Sequence, residues 1–141
     1  MRTTVPDYEL ATRLRLVLAR SARRLRQESG TDLSPSLTSA LATIERHGPL
    51  TPSELAGRER VTRPTVTRVV CRLEEAGLVA RAADPADGRS ALVSVTAAGR
   101  ALLAAARTRK DAFLSERVDA LTPEDRATLE RAAALLEGLL E

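Results

Sequence analysis

The segment from Thr51 to Thr96, TPSELAGRERVTRPTVTRVVCRLEEAGLVARAADPADGRSALVSVT, starts a helix twice in quick succession and then changes its hydrophobic period. Thr51-Pro52-Ser53-Glu54 is a capping box with proline at the first helical position. It opens a short helix carrying Leu55 and Ala56. Thr62 caps a second helix, in which Pro64 falls among the early N–H groups that lack an intrahelical partner. Val66, Val69, Val70 and Leu73 form the inward stripe of that helix. Gly77 followed by Leu78 reads as a left-handed helix end with its apolar contact. From there the period is that of strands. Val79 to Ala82 and Ala91 to Val95 are short β-prone runs, joined by the turn-rich loop Asp84-Pro85-Ala86-Asp87-Gly88-Arg89-Ser90. Helix, turn, helix, two-stranded hairpin is the element order of a winged helix-turn-helix.

The flanking sequence is helical. Leu10, Leu14, Val17, Leu18, Ser21 and Leu25 repeat at helical spacing and predict a helix over about Asp7 to Glu28, stopped by Gly30. Ser34-Pro35 starts the next, with Leu37, Leu41 and Ile44 on one face and Gly48-Pro49 at its end. Thr96 is expected to cap a long helix carrying Leu102, Leu103, Ala106, Lys110, Phe113 and Leu114. Thr122-Pro123-Glu124-Asp125 restarts helix, and its stripe of Leu129, Ala132, Ala133, Leu136, Leu139 and Leu140 runs to the end. The fold class is therefore mainly α with a small β wing. A single domain of 141 residues is expected: a winged-helix lobe over about 34–96, and terminal helices over about 7–29 and 97–141. The terminal stripes exceed what one small lobe can cover, which predicts a homodimer.

Composition narrows the function. Aromatics are 1% of the chain, so the core must be built from Leu, Val and Ala. The one cysteine, Cys71, forbids an intramolecular disulfide. No apolar run approaches a membrane span, and the N-terminus lacks a signal-peptide pattern. The expected location is the cytoplasm. A single histidine and a single cysteine cannot complete a zinc shell, and no nucleophile–base pair or glycine-rich phosphate loop is present. Neither enzymatic activity nor a cofactor is expected. Net charge is only +3, but its distribution is uneven. Arg58, Arg60, Arg63, Arg68 and Arg72 cluster against Glu59 alone. The acids Glu116, Asp119, Glu124, Asp125, Glu130, Glu137 and Glu141 lie elsewhere.

That basic cluster overlaps the start of the second helix, which carries Thr62, Arg63, Pro64, Thr65, Thr67 and Arg68. A helix N-terminus suits phosphate, short side chains allow close approach, and arginine can be bidentate to guanine. A solvated helix face uses the same residue types, and the neighbouring elements favour double-stranded DNA. At the hairpin tip, Asp87, Gly88, Arg89 and Ser90 form a second candidate contact. Gly88 permits a positive φ, Arg89 projects toward a narrow minor groove, and Asp84 or Asp87 can brace it.

SELA at Ser53 to Ala56, RPTVTRVVCRLEEAGLVAR from Arg63 to Arg81, and above all DPADGRSALVSVTAAG from Asp84 to Gly99 resemble the MarR (multiple antibiotic resistance regulator) family of bacterial transcription factors, over nearly the whole chain. The resemblance implies a homodimer built on N- and C-terminal helices. It implies that the helix over Thr62 to Ala76 enters the major groove and that Arg89 reaches the minor groove. It further implies a repressor released by a small ligand bound between the dimerisation helices and the DNA-binding lobe. Where most members carry an acidic residue before RLE, this chain has Cys71.

Other readings stay open at this point. Cys71 is the one candidate for thiol-based redox sensing, against a small inert thiol. His47 sits at a helix end, as a cap or beside a ligand. Arg13, Arg20 and Arg24 share a face of the first helix that could bind an anion, although Arg24 and Glu28 also make an ordinary i, i+4 pair. A winged helix can also serve as a protein-interaction module; the arginines and threonines along its second helix argue for DNA instead.

Overall fold

The computed structural model describes residues 8–141, so the expected start of the first helix at Asp7 lies outside the described residues. Six helices and one hairpin follow in order: α1 (Tyr8–Glu28), α2 (Pro35–His47), α3 (Pro52–Glu59), α4 (Arg63–Glu75), β1 (Val79–Ala83), β2 (Ala91–Val95), α5 (Ala97–Asp119) and α6 (Pro123–Leu139). Helix starts are fixed by hydroxyl caps. The side chains of Ser34, Thr51, Thr62 and Thr122 each accept the N–H three residues on, with proline in the first turn that follows. Thr96 does the same for Gly99 at 3.1 Å and also donates to the carbonyl of Gly77 at 2.6 Å, so one hydroxyl joins the start of α5 to the end of α4.

That α4 end is a Schellman motif. Gly77 takes φ +74°, its N–H reaches Glu74 O at 2.9 Å, and the N–H of Leu78 reaches Leu73 O at 2.9 Å. Leu73 and Leu78 are both buried beside it. α3 ends differently: Arg60 itself adopts the left-handed conformation, φ 55°.

Ser29–Arg107 is one compact unit. Its core is aliphatic: Leu41 and Ile44 from α2, Leu55 from α3, Val66, Val70 and Leu73 from α4, with Leu50, Val79, Val93 and Leu103 around them. The antiparallel hairpin runs from Val79↔Val95 to Ala83↔Ala91. It also has a third partner that the sequence pattern does not announce. Leu50 and Val93 exchange both backbone hydrogen bonds, at 2.9 and 2.7 Å, as an isolated bridge. This ties the hairpin to the α2–α3 connection.

The second unit gathers α1, α5 from Thr108 onward, and α6. It buries little. Neither α1 nor α6 contains a fully buried residue, and Val17, Leu129, Leu135 and Leu139 are at least half exposed. Phe113 is half-buried, under the guanidinium of Arg117. No helix among the described residues is long and apolar enough to cross a membrane.

Two glycines separate packing from turn chemistry. A Cβ at Gly99 would run into the Leu78 carbonyl oxygen and come within 2.8 Å of Val95 Cγ2, whereas one at Gly88 would meet nothing within 4 Å. Gly99→Ala is expected to lower stability in urea unfolding by about 1–3 kcal/mol, as overpacking does. Gly88→Ala should stay within about 0.5 kcal/mol of the parent. Equal losses at the two sites would contradict this placement of the two residues.

Candidate nucleic-acid interface

Burial of Val66, Val70 and Leu73 fixes which side of α4 faces out. The outward side carries Pro64, Arg68 and Arg72 at i, i+4 spacing, all exposed, with Thr67 and Cys71 beside them. Arg68 and Arg72 form no ion pair with any described residue. The one acid within the arginine cluster is turned away from them: Glu59 accepts Ser39 Oγ at 3.0 Å and Thr43 Oγ1 at 3.3 Å, both on α2. The face thus carries arginines that no described carboxylate pairs with.

The first turn of α4 is ordered by its own side chains. Thr62 Oγ1 accepts the N–H of Thr65 at 3.4 Å and lies 3.0 Å from Thr65 Oγ1. Thr65 is half-buried and lines a cleft of about 330 Å³ with Pro35, Ser36 and Ser39, so it belongs partly to the packing against α2. Thr67 Oγ1 donates to the carbonyl of Arg63 at 3.0 Å. Arg63 Nη1 donates to Ser53 Oγ in the first turn of α3. Ser53 therefore orients an arginine of the next helix. The sequence marks it only as part of a capping box, so this second task was not visible there.

The wing residues sit on the loop between β1 and β2, and the loop corrects two expectations. Gly88 does not take a positive φ; among the described glycines only Gly30 and Gly77 do. Nor is the Arg89 guanidinium braced by an acid. Asp84 Oδ1 accepts the N–H of Ala86 at 2.9 Å, and Asp87 Oδ1 accepts the backbone N–H of Arg89 at 3.0 Å. Asp87 Oδ2 also accepts Ser90 Oγ at 3.4 Å. Each aspartate bonds the N–H two residues on, which turns the chain without a left-handed glycine. Both carboxylates are spent on the backbone, leaving Arg89 exposed with no ion-pair partner among the described residues. No described hydrogen bond joins the wing set to the α4 set.

Arg81, on β1, is the link the sequence did not suggest. Its Nε lies 3.2 Å from Glu74 Oε2, and its Nη2 donates to Cys71 Sγ at 3.2 Å. The hairpin is thereby fastened to the C-terminal half of α4. Cys71 is half-buried and serves as an acceptor in that fastening. His47 is the last residue of α2, and the N–H of Gly48 closes that end on Ile44 O at 2.8 Å. The described residues contain no cluster of His, Cys, Asp and Glu able to hold a metal ion.

Comparison with known proteins matches this architecture. Residues 33–91 fit the model of the MarR family. An HTH-type transcriptional regulator of Mycobacterium tuberculosis is 41% identical over 136 residues, covering 96% of this chain and 95% of that protein. A crystallised transcriptional regulator protein of Pseudomonas aeruginosa is 34% identical with a TM-score of 0.87, over 96% of each chain. A mutant of MepR of Staphylococcus aureus, bound to an oligodeoxyribonucleotide, shares the fold at 21% identity and a TM-score of 0.74, over 94% of this chain and 98% of that one. The chain belongs to the MarR family of HTH-type transcriptional regulators.

Proposed function

We propose that this regulator binds double-stranded DNA sequence-specifically as a cytoplasmic homodimer, and acts as a repressor of a pseudo-palindromic operator until a small effector releases it. The observation that carries the DNA reading is the outward face of α4. Arg68 and Arg72 lie one turn apart there without a counter-ion. Like charges at i, i+4 cost a helix a few tenths of a kcal/mol, a cost that phosphate or guanine would reverse. Arg68 points most directly away from the core and is the residue for a guanine edge. Thr67, its hydroxyl already committed, offers its methyl to a thymine. Arg63, Thr62, Pro64 and Thr65 set the first turn against the backbone, where the free N–H groups and dipole of α4 favour phosphate. Arg89, with Gly88, Asp87 and Ser90 shaping the tip, supplies a second cationic contact for the adjoining groove. The DNA-bound MepR mutant supports the reading by shared fold. A protein-interaction module would present an apolar or acidic face on α4, and this face is neither.

Self-association rests on the apolar residues of α1 and α6. Leu129, Leu135 and Leu139 on α6 are at least half exposed in the single chain, a pattern that marks an interaction surface. Two recognition helices in such a dimer would read half-sites about one DNA turn, roughly 34 Å, apart. The Cys71 alternative, oxidant sensing, has less support, because the thiol is half-buried and the chain has no second cysteine to resolve an oxidised form.

In gel-shift titrations on DNA from upstream of its own gene, Arg68→Ala is expected to cost about 1–3 kcal/mol of specific binding and to relax sequence preference. Arg63→Ala should weaken specific binding too. Arg89→Ala should weaken binding to all sequences and lower the salt slope by about 1. Parent-like binding by all three variants would place the DNA face elsewhere.

Sedimentation tests the dimer separately. The parent is expected to be dimeric at micromolar concentration, and Leu135→Asp combined with Leu139→Asp should shift it toward monomer. Both positions are exposed, so these changes spare the core of the chain. A monomeric parent would overturn the self-association.

A further inference from the structure

One acid inside the arginine-rich segment has hydroxyl partners and no cation. Glu59 accepts Ser39 Oγ, which lies 3.0 Å from each carboxylate oxygen, and its Oε1 accepts Thr43 Oγ1 at 3.3 Å. It forms no ion pair with any described residue. Two hydroxyls fix its orientation but satisfy at most two of the roughly four lone-pair positions of a carboxylate. Glu59 is half-buried and, with Ser39, lines the cleft of about 330 Å³ where α2, α3 and α4 meet, inside the Ser29–Arg107 unit. Most of the remaining wall is apolar: Pro35 and Ala40 from α2, Leu55 from α3, Val61 from the connecting turn, and Val66 and Val69 from α4. Val61 is 42% exposed, so the cleft offers apolar surface to solvent beside a held negative charge.

A fixed carboxylate in an apolar recess is complementary to a cation that carries its own apolar body. The volume lies at the lower end of the range of small-molecule sites. The geometry points to this cleft as a binding site for a small organic ammonium, an amine protonated near neutral pH on a compact aryl or alkyl body. The ammonium donates to the remaining lone pairs of Glu59, while Ser39 and Thr43 keep the carboxylate in place for it. Pro35, Val61 and Val69 cover the apolar end. A charge-assisted hydrogen bond and burial of the apolar body act together there. General charge attraction does not account for such binding. The chain carries a net +3, and Arg58 and Arg60 flank Glu59 in sequence, so a cation that binds does so against the overall field. Glu59, Ser39 and Val61 lie outside the proposed DNA contacts, so the site stands whether or not α4 reads DNA.

The test is a calorimetric titration of the full-length protein, without DNA, using 1-naphthylmethylamine and the neutral 1-naphthalenemethanol as probes. The amine is expected to bind, and the alcohol to bind at least about tenfold more weakly. Glu59→Gln keeps acceptors for Ser39 and Thr43 but removes the charge. It should weaken the amine by about tenfold and leave the alcohol unchanged. Val61→Arg keeps Glu59 and supplies a guanidinium from the chain itself, which should fill the cleft and abolish amine binding. Val61 is exposed, so the thermal melt of that variant should match the parent. No binding of the amine by the parent, equal binding of amine and alcohol, or parent-like affinity in Glu59→Gln would each overturn the site. If Glu59→Gln melts below the parent, Val61→Arg decides, and amine binding retained there overturns the site. A failed titration leaves the gel-shift outcomes for Arg63, Arg68 and Arg89 untouched.

Discussion

Everything proposed for α4 depends on one packing constraint. Val66, Val70 and Leu73 occupy a single stripe, and their burial against α2, α3 and the hairpin leaves the helix one rotational setting. Turning it by a residue would bury Arg68 or Cys71 and expose a valine, at a cost of roughly 1.5–3 kcal/mol for each apolar side chain returned to water. The setting is reinforced at both ends. Thr62 holds the start, while Gly77, Leu78 and Thr96 lock the end into the hairpin and α5. Arg81 adds a lateral tie through Glu74 and Cys71. A basic face on a helix that could roll would have no fixed geometry to offer; this one is held from several directions.

The same packing explains how the local charge came to be one-sided. The cluster from Arg58 to Arg72 contains Glu59, which in an open helix would screen its neighbours. In the fold it is bound to two hydroxyls of α2 instead. At the wing, Asp84 and Asp87 are likewise used up in shaping the loop, and Arg89 is left free to act at a distance. Acids near the candidate surface are hydrogen-bonded to hydroxyls and backbone N–H groups, and none of them forms an ion pair with its arginines. The like-charged face that results is what an anionic polymer would match.

Much of this was legible in the sequence because it is written in local chemistry. Hydroxyl-proline starts, the glycine stop at Gly77 and the change of period at Val79 each act within a few residues, so the elements fall where the pattern places them. The first strand of the wing ends one residue later than expected, at Ala83, and the Leu50–Val93 bridge was invisible because an isolated pairing leaves no periodic trace. The errors at Gly88 and at the Arg89 brace share a cause. Aspartate can satisfy either a guanidinium or a nearby backbone N–H, and sequence alone does not say which competitor wins. The Ser53–Arg63 and Cys71–Arg81 contacts join residues ten apart, across a turn, and only the fold brings them together. The departure at Cys71 acquires a local meaning, as a soft acceptor for a strand arginine.

In the proposed complex the face bearing Arg68 and Thr67, paired across a two-fold dimer, selects a DNA sequence. Selection of bound duplexes from a random library at moderate salt tests it most directly. Enrichment of an inverted repeat whose half-sites are centred about one helical turn apart is expected, with a guanine position that loses its preference in Arg68→Ala. Recovery of no motif, or of the same motif with undiminished preference in that variant, would contradict it.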